Sequence, residues 1–135
     1  MTTVFDARQG LADAITDGTG LRASHYVPEQ MVAPIAVVAR RSFDPRFVFS
    51  QSKATYELTV SIYVDRTNDR AAQKTLDGFC EVSGVGSVIA AIQNSANWVN
   101  VSVDYAQVVN VSEVQAVGIA ESQYFVVQLD VEVVF

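Results

Sequence analysis

The chain has 135 residues, of which half are hydrophobic and 18% charged, and it carries a formal net charge of −6. That length fits a single domain over 1–135, with enough apolar material to bury about two-thirds of the unfolded surface, which excludes intrinsic disorder. An acidic chain repels phosphate backbones, which disfavours general nucleic-acid binding. The longest apolar stretch, 31–39, is broken by Pro34 and is too short to span a bilayer.

The charge is unevenly spread. All nine basic residues lie between Arg8 and Lys74, where eight acids leave a net +1. From Thr75 to Phe135 there is no Lys or Arg, and seven acids give −7. The N-terminus, Met1-Thr2-Thr3-Val4-Phe5-Asp6, has no basic segment and no long apolar one. It does not read as a signal peptide, so a cytosol-like compartment is expected.

In chain order, Thr3 is a candidate cap for a first helix over 4–17, with Asp6 near its positive end. Val4, Ala7, Leu11, Ala14 and Ile15 form its apolar stripe, and Gly18 is placed to end it. Residues 21–26 read as a short extended segment. After Pro28, Ile35-Ala36-Val37-Val38-Ala39 reads as a buried strand with Pro34 at its start.

A long connection follows at 41–54, with a turn signal at Asp44-Pro45. Tyr56, Leu58, Val60, Ile62 and Val64 alternate with mostly polar residues, the pattern of a strand with one packed face. Asn68 can cap a second helix, whose stripe is Ala72, Leu76, Phe79 and Cys80. Val85, Val88, Ile89 and Ile92 suggest a short third helix, which Ser83 could cap.

The remainder reads as β. Val99, Val101, Val103 and Tyr105 alternate with polar residues, a strand pair is expected within 107–119, and a long strand closes the chain. In that strand Phe125, Val127, Leu129, Val131, Val133 and Phe135 share one face. The order is α-β-β-β-α-α-β-β-β. It predicts an α+β fold with a mixed, largely antiparallel sheet and two to three helices packed mainly on one face.

Few residues invite chemistry. His25 and Cys80 are each the sole residue of their type. Cys80 reads as an apolar filler on a helix, and His25 as a partly exposed strand residue. No Gly-x-Ser-x-Gly elbow is present. Gly84-Val85-Gly86-Ser87 lacks the third glycine, the lysine and the acidic partner of phosphate-binding loops, so it reads as a turn between helices. No catalytic, cofactor or metal residues are expected.

Two surface features stand out instead. Around the 41–54 loop, Arg40, Arg41, Arg46 and Lys53 interleave with Phe43, Phe47 and Phe49, a mixture enriched at protein interfaces. Asp130 and Glu132 share one strand face and, with Asp104, mark an acidic sheet surface.

Several phrases bear a family resemblance. They are Gly20-Leu21-Arg22-Ala23-Ser24-His25-Tyr26-Val27-Pro28-Glu29-Gln30, Pro34-Ile35-Ala36-Val37-Val38 and Tyr56-Glu57-Leu58-Thr59-Val60. Val64-Asp65-Arg66-Thr67-Asn68-Asp69-Arg70-Ala71-Ala72-Gln73-Lys74-Thr75-Leu76-Asp77 and the Gly-x-Gly-Ser-Val-x-x-Ala-Ile run from Gly84 to Ile92 follow, ahead of the valine-rich end. In these phrases and in element order the chain resembles the tail terminator (tail completion) proteins of long-tailed bacteriophages.

The resemblance implies a virion tail protein assembled in the host cytoplasm. Its partners would be itself in a hexameric ring, the tail-tube protein and a head-completion or connector protein, with DNA only in passage and no membrane. It implies neither catalysis nor a cofactor.

Ring closure joins unlike faces of one subunit. The expectation is therefore that the Arg/Phe loop meets a neighbour's acidic sheet, and that Asp104, Asp130 and Glu132 lie on a DNA-repelling lumen or interface. The alternatives are another head-tail connector or tail-tube subunit, or, from a different class, a small ligand-binding or enzymatic α+β domain.

Overall fold

The computed structural model describes residues 4–26, 33–40, 55–66, 69–81, 84, 86–94, 97–98, 105–119 and 122–134. The side chains of residues 4, 40, 55 and 69 lie outside this description. The elements run α1 (Val4–Thr19), β1 (Ala23–Ser24), β2 (Ile35–Arg40), β3 (Thr55–Asp65), α2 (Asp69–Phe79), α3 (Val88–Gln93), β4 (Tyr105–Val111), β5 (Gln115–Ile119) and β6 (Ser122–Val134).

The six strands form one sheet in the order β1-β2-β3-β6-β4, with β5 also pairing β6. Only the β1–β2 pair is parallel. The fold is thus α+β with helices packed against a mostly antiparallel sheet, the class the sequence predicts.

The alternation in β3 and β6 fixes the layers. Tyr56, Leu58, Val60, Ile62 and Val64 stand opposite Val133, Val131, Leu129, Val127 and Phe125. All ten belong to the main core cluster, with Ala36 and Val38 from β2 and Ala106 from β4. Ala7, Leu11, Ala12, Ala14 and Ile15 of α1, Ala72 and Leu76 of α2, Val88 and Ile92 of α3, and Leu21 and Trp98 from the connections complete it. Every sheet residue in that cluster lies on the same face, so all three helices cover one side. Burying each such aliphatic side chain contributes about 1.5–3 kcal/mol.

β4 and β5 behave as one interrupted strand. β4 pairs with the second half of β6, from Leu129 to Val134, and β5 with the first half, from Ser122 to Val126. The register shifts between Val108 and Asn110. Ser112 bridges the gap: its backbone N–H donates to Gln128 O at 2.8 Å, and its Oγ accepts from Gln128 N at 2.9 Å. The expected strand over 99–105 lies outside the described residues apart from Tyr105, which instead opens β4.

Two helix boundaries correct the sequence reading. α1 does not end at Gly18 but continues to Thr19. Gly20 then takes φ +76, and its N–H donates to Thr16 O at 2.8 Å, a left-handed cap. Thr19 Oγ1 donates to Ile15 O at 2.7 Å and satisfies a further terminal carbonyl.

Gly18 has a different role. A Cβ at that position would sit 2.5 Å from Ala91 Cβ and 3.1 Å from Ala91 Cα, so the glycine permits close approach of α1 and α3. The α3 cap is Ser87, not Ser83, which lies outside the described residues. Ser87 Oγ accepts from Ala90 N at 3.1 Å and donates to Glu81 O. At the other end of α3, Asn97 Nδ2 and Trp98 Nε1 donate to the Ala91 and Ile92 carbonyls at 3.0 and 2.9 Å. A six-residue helix is unstable alone, so these side chains and its packing hold it.

Two stability changes follow. Gly18→Ala would gain about 1 kcal/mol in an unobstructed helix. Here overpacking against Ala91 should instead cost about 1–3 kcal/mol in urea denaturation, and a stabilised variant would refute the close contact. Ser87→Ala removes both the cap and the Glu81 contact and should cost about 0.5–2 kcal/mol. An unchanged urea midpoint would show that the cap contributes nothing.

Candidate interaction surfaces

Among the described residues no helix packs on the second face of the sheet. At one end it is apolar: Ile35, Val37, Tyr124 and Val126 are buried, and Tyr63 meets Tyr124 edge-to-face with centroids 6.4 Å apart. Its centre is polar. Asp130 stands between Thr59 and Asn110, and Glu132 between Glu57 and Gln107.

Asp130 and Glu132 are half-buried there. The Tyr105 hydroxyl donates to Glu132 Oε1 at 2.9 Å, and this bond above all raises the phenol pKa above its ordinary value. The predicted acidic pair therefore shares a face as expected, and the structure adds Glu57 directly opposite Glu132. Asp104 lies outside the described residues.

Arg41, Phe43, Arg46, Phe47, Phe49 and Lys53 also fall outside the described residues. Arg40 closes β2 opposite Leu58, with its side chain not described. The expected Arg/Phe surface is thus neither assembled nor dispersed by what is described.

A different aromatic and cationic cluster is present at the β1 edge, which sequence reasoning missed. Phe5 and His25 meet edge-to-face at 5.1 Å, and so do His25 and Tyr26. The Arg8 guanidinium carbon lies 5.9 Å from the Phe5 ring centroid. Phe5 is 52% exposed and Tyr26 61%. Among the described residues, Arg8 Nε is the one buried side-chain polar atom without a hydrogen-bond partner. Ser24 fixes the bend beneath the cluster: its Oγ donates to Tyr26 O at 2.6 Å and accepts from Tyr26 N at 3.3 Å. One signal for the cluster was available in the sequence, because Phe5 falls off the Ala7–Leu11–Ala14–Ile15 stripe and must point elsewhere.

The opposite edge carries a second exposed patch. Tyr105, Val109, Val111 and Val114 are all exposed along β4 and the turn after it. The strand's outer side is partly closed, since Val108 N donates to Gln93 Oε1 at 3.4 Å.

The remaining polar features offer little convergence. Arg70, Gln73, Lys74 and Asp77 line an open groove along α2. Gly84, at φ +114, forms a turn closed by Ser87 N donating to Gly84 O at 3.2 Å. Among the described residues no group of three or more His, Cys, Asp or Glu is arranged to hold a metal ion, and no helix is long and apolar enough to cross a membrane. Cys80 is a free, half-buried thiol at the end of α2. Burial, then Asp77 and Glu81, push its pKa up.

No protein-family model matches this chain, and no curated protein matches it.

A raised thiol pKa leaves Cys80 protonated near neutrality, and the thiolate is the reactive form. At pH 8 folded Cys80 should react with a thiol reagent more slowly than the same residue in the urea-unfolded chain. Equal or faster reaction in the folded state would contradict this environment.

Proposed function

We propose that this chain is a structural virion protein, the tail terminator of a long-tailed phage. On this reading it forms a ring, a hexamer as in the family it resembles. The ring caps the tail tube, ends tube polymerisation and presents the head-joining surface. Self-association, the tail-tube protein and a head-completion protein are its contacts, and DNA only passes through.

The observation that carries the reading is the placement of two unlike exposed patches at opposite edges of one sheet. An arginine-aromatic cluster sits at the β1 edge, and an apolar strand on a lysine- and arginine-free half sits at the other. Unlike patches on one subunit suit head-to-tail contacts, which close into rings. The α-β-β-β-α-α-β-β-β order that carries the resemblance is also the order of the fold. The reading assigns no catalysis to His25 or Cys80, and it places Asp130 and Glu132 on the lumen side, where negative charge repels DNA.

Electron microscopy of the purified chain with and without tail tubes tests the proposal. A terminator gives single or paired rings and bounds tube length when added to polymerising tube protein. Long tubes formed by the chain alone would make it a tube subunit, and tubes that lengthen unchecked in its presence would overturn the terminator reading.

A further inference from the structure

We propose that the subunit contact is formed by the Phe5–Arg8–His25–Tyr26 cluster of one copy seated on the β4 edge of a second copy, around Val109, Val111 and Val114. The proposal rests on the ring reading and specifies the surfaces that make the ring.

The two patches cannot meet within one chain, because they lie at the two ends of the β1-β2-β3-β6-β4 order. They are complementary in chemistry. On one edge the Arg8 guanidinium lies by the exposed Phe5 ring, and the exposed Arg22 is on the segment that leads into β1 and His25. The other edge offers exposed valines beside Glu113, with Asp130 of β6 opposite Asn110, in a half of the chain without Lys or Arg.

The other described basic side chains lie elsewhere. Arg66 stacks on Phe125 at 4.7 Å, and Arg70 and Lys74 are on α2. Arginine and aromatic residues over an apolar patch are the composition of interface hot spots. The Val108–Gln93 bond occupies one outward donor of β4, and the proposed contact is made by side chains.

The test uses the full chain with Cys80→Ala, to remove the native thiol, and carries Tyr26→Cys, Val109→Cys or both. On mild oxidation, a mixture of the two single variants should give a cross-linked dimer, and the double variant a ladder of higher species. In the native-cysteine background, Arg22→Glu should weaken self-association at least about tenfold by sedimentation, the scale of one charge-assisted contact of roughly 1.4 kcal/mol. Glu113→Arg on the partner should restore it.

Rings that form normally without cross-links, and that ignore Arg22→Glu, would overturn this contact and leave the ring reading intact. Cross-linked chains that never close into rings would support the contact and remove the terminator. A chain that neither associates nor cross-links at its highest attainable concentration would overturn the contact, and tail-tube capping would then decide the terminator reading separately.

Discussion

The pairing of β6 with its two neighbours is the constraint on which the rest of this fold depends. β6 is bonded to β3 from Tyr124 to Val134 and to β4 and β5 on its other side. Because side chains alternate, a slip of one residue would move Val127, Leu129 and Val131 from the helix-covered face to the bare one. The same register forces Glu57 opposite Glu132. A facing like-charge pair costs about 0.2–1 kcal/mol, whereas each of the five apolar pairs along β3 and β6 buries side chains worth about 1.5–3 kcal/mol apiece. The core therefore sets the register, and the acidic face follows as its consequence.

Once the helices occupy one face, the interesting surface is what remains. α1 covers the β1–β2 side and touches α3, which covers β4. Gly18 makes that junction close, so α1 and α3 form a joined pair above the sheet. Among the described elements, the second face and the two edges are the parts without a helix. The edges differ in side-chain character: Arg8, Arg22 and exposed aromatic rings belong to one, and exposed valines on part of the Lys/Arg-free end to the other.

Much of this architecture was legible from residue order. The period-two runs at 56–64 and 125–133 and the Ala7–Leu11–Ala14–Ile15 stripe are local signals, and local geometry reads them directly. The misreadings occurred where distant residues decide. Gly18 and Gly20 are equally good helix enders on local grounds, and only Ala91 distinguishes them. Ser83 and Ser87 both precede an apolar run, but Ser87 is the one tied to Glu81 O. Two strands within 107–119 were legible, but their shared pairing with β6, fixed at the break by Ser112 against Gln128, has no local mark. The candidate surface was least legible, since Phe5 and His25 come from separate elements and meet only through the packing of α1 on β1.

The division of charge also bears on how such subunits would find one another. Salt screens exposed charges beyond about 8 Å at physiological ionic strength. Arg8, Arg22 and the acidic residues near β4 therefore act at contact range, where they orient partners more than they bind them. On the proposed contact, binding strength comes from the apolar part, the Phe5 and Tyr26 rings on the valines. This arrangement suits an assembly with one permitted geometry. A purely apolar edge would tolerate many registers and other partners, whereas a charged residue beside each patch penalises a misaligned approach. On the proposed reading unlike patches are the ones that meet, which is the condition for a ring that closes instead of a symmetric pair that stops at two.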